Sequence, residues 1–174
     1  YFCKTKVAHI EAGLRTGDMY SPWPEEGNRK LVGGLAAFHF SPTTMASENL
    51  VNEGVDLSKI FITGNTVIDS LFLAIEILNT NKNLNSELEE KYGYLDSTKR
   101  LLLVTGHRRE NFGNGFLNIC SALAKLHKDN DDIEILYPVH LNPNVIKPVK
   151  EILSDKSNIH LIDPVGYLDF VFLM

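Results

Sequence analysis

Between His9 and Arg29 the chain runs His-Ile-Glu-Ala-Gly-Leu-Arg-Thr-Gly-Asp-Met-Tyr-Ser-Pro-Trp-Pro-Glu-Glu-Gly-Asn-Arg, placing carboxylates, cations and an imidazole on a stretch rich in glycine and proline. The short apolar run from Val7 to Ile10 reads as the end of a buried strand. Gly13, Gly17, Pro22 and Pro24 forbid a continuing helix or strand interior after it. Glu11 therefore sits at a strand end, and Glu25 and Glu26 at the start of a helix. In open α/β sheets ligands bind at the carboxyl ends of strands, and a helix N-terminus adds free N–H groups and the positive end of its dipole. Carboxylates placed there can give and take a substrate proton. The competing reading is a surface loop whose charges are solvated. His9 precedes Glu11 by two, so along a strand both face one side, which suits His9 to orienting Glu11.

A second grouping follows an almost fully apolar strand, Leu101 to Thr105: Gly106-His-Arg-Arg-Glu-Asn-Phe-Gly-Asn-Gly115. This is a strand, a polar loop and a helix, and the loop feeds a helix N-terminus where a phosphate gains from backbone N–H groups. Arg108 and Arg109 add forked donors suited to a pyrophosphate. The loop is neither a Walker A sequence nor a Gly-x-Gly-x-x-Gly fingerprint, which disfavours ATP hydrolysis and NAD chemistry. Read without a ligand, Arg108, Arg109 and Glu110 are a local ion-pair patch and His107 a strand cap. His140 ends a further strand of the same sheet, in Tyr137-Pro-Val-His-Leu-Asn-Pro-Asn144, and is placed to face the same region. His39, His127 and His160 read as structural.

Strands and helices alternate around these loops. Helices are expected at Glu25 to about Ala37, Thr44 to Gly54, Thr66 to Leu78 and Gly115 to His127. Strands are expected at Phe38 to Phe40, Ile60 to Thr63, Leu101 to Thr105, Ile133 to Val139 and Ile159 to Ile162. Ile68, Leu71, Phe72 and Ile75, and likewise Phe116, Ile119, Cys120 and Leu123, follow the i, i+3, i+4, i+7 spacing of a core-facing helix. Leu31, Val32 and Leu35 share one side of the first helix, whose Gly33 and Gly34 suggest close packing or the approach of a ligand or partner backbone. Val145 to Leu153 is helical in period but carries Pro148, where the helix either begins or kinks. The polar excursion from Asn79 to Lys99 holds a peripheral helix near Ser86 to Tyr92. Strands alternating with helices imply parallel sheets covered on both faces.

The chain has 174 residues, 44% of them hydrophobic, and a formal net charge of −5. That is enough apolar material for a sizeable core. Mild acidity with one small basic cluster argues against nucleic-acid binding, which needs clustered Lys and Arg. No run approaches the ~18 apolar residues of a membrane span, and a cytoplasmic setting is the default expectation. Cys3 and Cys120 lack metal-type spacing and are expected to be reduced. Tyr1 at one end and an uncapped apolar run, Tyr167 to Met174, at the other read as interior to a longer chain.

His9-Ile-Glu-Ala-Gly-Leu-Arg-Thr-Gly-Asp, Ser-Pro-Trp-Pro-Glu-Glu-Gly-Asn-Arg29, Val104-Thr-Gly-His-Arg-Arg-Glu-Asn-Phe-Gly and Tyr137-Pro-Val-His-Leu-Asn-Pro-Asn resemble, in order, signatures of the bacterial non-hydrolysing UDP-N-acetylglucosamine 2-epimerases. The resemblance covers essentially the whole chain, diverging at about Asn79 to Arg100. It implies an α/β fold of two Rossmann-like domains with parallel sheets facing a cleft (GT-B-like), both incomplete here. Composition allows a boundary anywhere from Gly64 to Arg100. The resemblance favours the early one, with residues 1–64 belonging to the N-terminal domain and 65–174 to the C-terminal domain.

The resemblance further implies interconversion of UDP-N-acetylglucosamine and UDP-N-acetylmannosamine by elimination and re-addition of UDP. Glu11 and Glu25 match the acid–base positions and His107 a catalytic histidine that helps the diphosphate leave. Arg15, Arg108 and Arg109 are candidate anion contacts. No cofactor and no metal are implied, since the hydrogen leaves as a proton. UDP-N-acetylglucosamine is the implied substrate and an allosteric ligand at a second site, with His140 and Arg108 as contacts by position. A homodimer is implied for the intact protein. A further catalytic aspartate and a Ser-Gly-Gly nucleotide loop with its glutamate, both family features, are not in this sequence. Hydrolysing relatives depart from the Ala-Gly-Leu-Arg-Thr-Gly-Asp run, and a non-catalytic nucleotide-sugar-binding role is the alternative outside enzymology.

Overall fold

The computed structural model describes residues 2–106 and 113–174. These fall into two compact units, Tyr1–Phe72 and Leu73–Met174. The first contains β1 (Ala8–Ile10), α1 (Glu25–Leu35), β2 (Phe38–Ser41), α2 (Thr44–Asn52), a 3-10 turn at Leu57–Lys59 and β3 (Ile60–Ile62). Helix α3 (Thr66–Thr80) spans the point of division. The second unit continues with α4 (Lys82–Lys91), β4 (Arg100–Leu103), α5 (Asn114–Asp129), β5 (Ile133–Pro138), α6 (Pro143–Leu153), β6 (Ile159–Ile162) and α7 (Tyr167–Leu173).

Each unit holds one three-stranded sheet among the described residues, ordered β1-β2-β3 and β4-β5-β6, and every pairing is parallel. This is the α/β class expected from strands alternating with helices. Parallel pairing puts all the strand carboxyl ends of a sheet on one edge, so the loops after β1 and β2 emerge side by side.

Local chemistry sets where the helices start. The Thr43 side chain accepts the Ala46 N–H at 3.1 Å to open α2. Asn81 does the same for Leu84 in α4 at 3.1 Å, and Asn142 for Asn144 in α6 at 2.9 Å. These side chains satisfy N–H groups that have no partner within their helices. Because Asn142 and Pro143 open α6, Pro148 lies inside that helix and does not begin it.

The two units differ in what they bury. In the second, Phe116, Cys120 and Leu123 of α5 meet Ile135 and Tyr137 of β5 and Val145, Val149 and Leu153 of α6 in one apolar cluster. The α5 stripe therefore packs as its periodicity predicts. The polar excursion is tied down as well: Asp169 accepts from Tyr92 Oη at 2.8 Å and pairs with Lys91, and buried Glu134 accepts the Asp96 N–H and meets His160 Nε2, each at 2.7 Å. Among the described residues of the first unit the buried apolar side chains are Ala12, Ala46 and Leu50, accompanied by the polar Glu26, His39, Ser41 and Ser47.

Two expectations are corrected: a buried strand at Val7 to Ile10, where Ala8 and Ile10 are exposed, and a core-facing stripe on α3. Ile68, Phe72 and Ile75 of α3 are exposed, and the buried residues of that helix are Ala74 and Leu78. Leu31, Val32 and Leu35 of α1 are also exposed. The spacing marks apolar faces, but no facing layer among the described residues covers them. Among the described residues Gly33 and Gly34 are not closely packed: a Cβ on Gly33 would make ordinary contact with Arg15 at 3.5 Å, and one on Gly34 would meet nothing within 4 Å.

Candidate active site

Strand β1 ends at Ile10, and the next residue, Glu11, carries the chain out of the sheet with φ +62°. That left-handed conformation costs a residue with a Cβ about 1–2 kcal/mol, so the surroundings must enforce it. They do so on both sides. The Ala12 N–H donates to the Phe40 carbonyl of β2 at 2.9 Å. Gly13, at φ +86°, lies so close to α2 that an added Cβ would stand 2.0 Å from the Ala46 carbonyl oxygen, and Asn49 Nδ2 donates to the Gly13 carbonyl at 3.0 Å. Asn65 Nδ2 makes a long contact, 3.4 Å, to the Glu11 carboxylate.

The loop then folds on itself before α1 begins. Thr16 Oγ1 donates to the Ser21 carbonyl, Ser21 N–H to the Asp18 carbonyl at 3.1 Å, and Tyr20 N–H to the Asp18 carboxylate at 2.9 Å. The Ser21–Pro22 and Trp23–Pro24 bonds are cis. Glu25 and Glu26 form the first turn of α1, where negative charge is favoured by the helix dipole. Glu25 is exposed; Glu26 is fully buried.

Glu11 and Glu25 line one open cavity of about 270 Å³, shared with His9, Ile10, Leu14, Asn28, Arg29 and Val32. The structure thus brings together the two carboxylates and the imidazole of His9, all three named from the sequence. Burial lowers the pKa of His9, the neighbouring His39 and Arg15 lower it further, and Glu11 works against them. The net result keeps this imidazole neutral near pH 7. His39 stands beside His9 in the β1–β2 register, ring centroids 6.4 Å apart, and burial again lowers its pKa, with help from Arg15 and Lys59.

Arg15 is placed differently from a free anion contact. Its Nε and Nη2 grip Glu53 at 2.8 and 2.7 Å, and Nη1 donates to its neighbour's carbonyl, Leu14 O, at 2.8 Å. The bond to Glu53 raises the Arg15 pKa, and the same bond lowers that of Glu53. The fork therefore ties the loop after β1 to the end of α2. The cation on the cavity wall is Arg29, whose Nη1 lies 3.5 Å from Glu26 Oε2. Arg29 and Asn28 were missed in the sequence, although three- and four-residue spacing from Glu25 puts both on its face of the helix.

His107, Arg108 and Arg109 lie outside the described residues. Of the segment leading to them, Gly106 is fixed by Tyr137, whose hydroxyl donates to its carbonyl at 2.7 Å. Burial pushes the Tyr137 phenol up to about 12, so it remains a donor. His140, in the second unit, is exposed two residues beyond β5, and its Nδ1 accepts the Asn142 N–H at 3.1 Å. No group of three metal-ligating side chains occurs among the described residues, and none of their helices is long and apolar enough to cross a membrane.

Residues 1–174 match the family described as UDP-N-acetylglucosamine 2-epimerase. The chain is 55% identical over 174 residues to the UDP-N-acetylglucosamine 2-epimerase of Escherichia coli (strain K12) and 52% identical to that of Yersinia pestis. Each alignment covers all of this chain and 46% of the relative. Among solved structures it resembles the UDP-GlcNAc 2-epimerase of Neisseria meningitidis bound to UDP-GlcNAc, with a TM-score of 0.95 and 43% identity, over 99% of this chain and 46% of that one. The chain spans about half the length of these relatives.

Proposed function

The chain belongs to the UDP-N-acetylglucosamine 2-epimerase family, and on that premise we propose that the whole protein interconverts UDP-N-acetylglucosamine and UDP-N-acetylmannosamine without hydrolysing the product. One carboxylate of the pair Glu11 and Glu25 takes the C2 proton while the C1–O bond to UDP breaks, leaving a glycal. The other delivers a proton to the opposite face of C2 as UDP adds back to C1. The hydrogen moves as a proton throughout, so the cycle is redox-neutral. The observation that carries this reading is the shared cavity: two carboxylates, one at a strand's carboxyl end and one in a helix's first turn, line the same 270 Å³ space. Positioned acids and bases of this kind contribute about 10²–10⁴-fold to rate.

Departure of UDP leaves negative charge on the diphosphate, and cations placed for it stabilise the transition state. Arg29 of the cavity wall is proposed for this, as are His107 by family match and Arg108 and Arg109 for their forked donors. Arg15 joins them only if its fork on Glu53 opens. Arg108 and His140 are proposed contacts for a second, regulatory UDP-N-acetylglucosamine, in a homodimer. The domain boundary is proposed at residues 64–65. Product analysis of the whole protein tests the reading: UDP-N-acetylmannosamine supports it, whereas free N-acetylmannosamine with UDP, or no turnover, overturns it.

A further inference from the structure

Glu26 has no part in the chemistry above, yet it is the fully buried carboxylate of the first unit. A charge removed from water is costly unless hydrogen bonds and a counter-ion surround it, and its surroundings show what it holds. Oε1 accepts two backbone N–H groups of the loop after β1, Thr16 and Gly17, both at 3.2 Å. Oε2 makes no hydrogen bond and lies 3.5 Å from Arg29 Nη1, one turn along the same helix. Gly17 adopts φ +81° with open space where a Cβ would be, so glycine serves there to turn its N–H toward the carboxylate.

We propose that Glu26 is a positioning residue that sets Glu25 and Arg29 against Glu11 across the cavity, by clamping the first turn of α1 to the loop that leads out of Glu11. Glu25 is its chain neighbour and Arg29 its ion-pair partner, while Thr16 and Gly17 lie five and six residues beyond Glu11. No other side chain among the described residues hydrogen-bonds that loop's backbone to α1. Misplacing a catalytic group by about 1 Å can cost 10²-fold in rate, so a clamp between the carriers of the two carboxylates acts on turnover more than on substrate binding. This inference rests on the epimerase reading and on Glu25 as an acid–base group.

The test is a double-mutant cycle in the whole protein, comparing wild type, Glu26→Gln, Glu25→Gln and the double variant by steady-state epimerisation, with circular dichroism to confirm folding. Glu26→Gln should lower kcat about 10- to 100-fold, the scale of a misplaced group, with KM within about twofold. In the Glu25→Gln background the same change should cost no further activity, because residues acting through one another are not additive. A wild-type kcat in Glu26→Gln, or an equal fold-loss in both backgrounds, would overturn the proposal; the latter would reduce Glu26 to a loop staple. A fully active Glu25→Gln would instead bring down the acid–base reading. Should Glu26→Gln not fold, Glu26→Asp, which keeps the charge but withdraws it by one methylene, carries the same comparison.

Discussion

Glu25 and Glu26 are adjacent and chemically alike, yet one faces a cavity and the other is sealed between a helix and a loop. Changing either Glu25 or Glu11 to Gln in the whole protein should lower turnover by at least about 100-fold, while the fold, followed by circular dichroism, is kept. His127→Asn, in the second unit, should leave turnover unchanged. The histidines of the first unit give a pH effect of definite sign. His9 and His39 titrate below their ordinary 6.5 when folded, so below that pH the unfolded chain binds protons that the folded chain refuses. Stability should hold above about pH 6.5 and fall as the pH drops below it, and the urea midpoint between pH 5 and 7.5 measures this. His39→Gln should flatten the fall. Glu11 and Glu25 were legible as a pair because punctuation by glycine and proline placed each at an element's end. Glu26's burial and Arg29's place on the wall were not, since they depend on which way the first turn of α1 faces.

At the scale of elements, the loop after β1 works because α2 and β2 hold it. Gly13→Ala forces a Cβ into the left-handed region and onto the Ala46 carbonyl, and should cost at least about 2 kcal/mol of stability. Gly34→Ala, in a helix with open space around it, should stabilise this chain by up to about 1 kcal/mol. Denaturant melts of the two variants check the contrast. Element order and type were legible from β1 to β6, because period and punctuation are local properties. The direction of the helical faces was not: the α5 stripe meets a neighbouring helix and strand, whereas the equally periodic stripes of α1 and α3 stand mostly exposed among the described residues. Apolar spacing along a helix names a face, and only the tertiary neighbours decide whether it is covered. α7 shows the converse, an amphipathic apolar run at Tyr167 to Leu173, read from the sequence only as uncapped, that folds as a helix with Val171 and Leu173 buried.

For the whole molecule, the two units differ in core. The second has an apolar cluster spread over α5, β5 and α6, while the described residues of the first bury two alanines and one leucine beside polar groups. Amide exchange on the 174-residue chain should therefore show the first unit opening at lower free energy than the second. Similar protection in both would contradict that ranking. The same chain should not epimerise by itself, since positioning by a complete site is worth about 7–11 kcal/mol of barrier. The central claim, that Glu11 and Glu25 exchange the C2 proton, is tested most directly by turnover of the whole protein in deuterium oxide. The predicted result is UDP-N-acetylmannosamine carrying deuterium at C2, with both product and label lost in Glu25→Gln. Epimer formed with its original C2 hydrogen fully retained would contradict it.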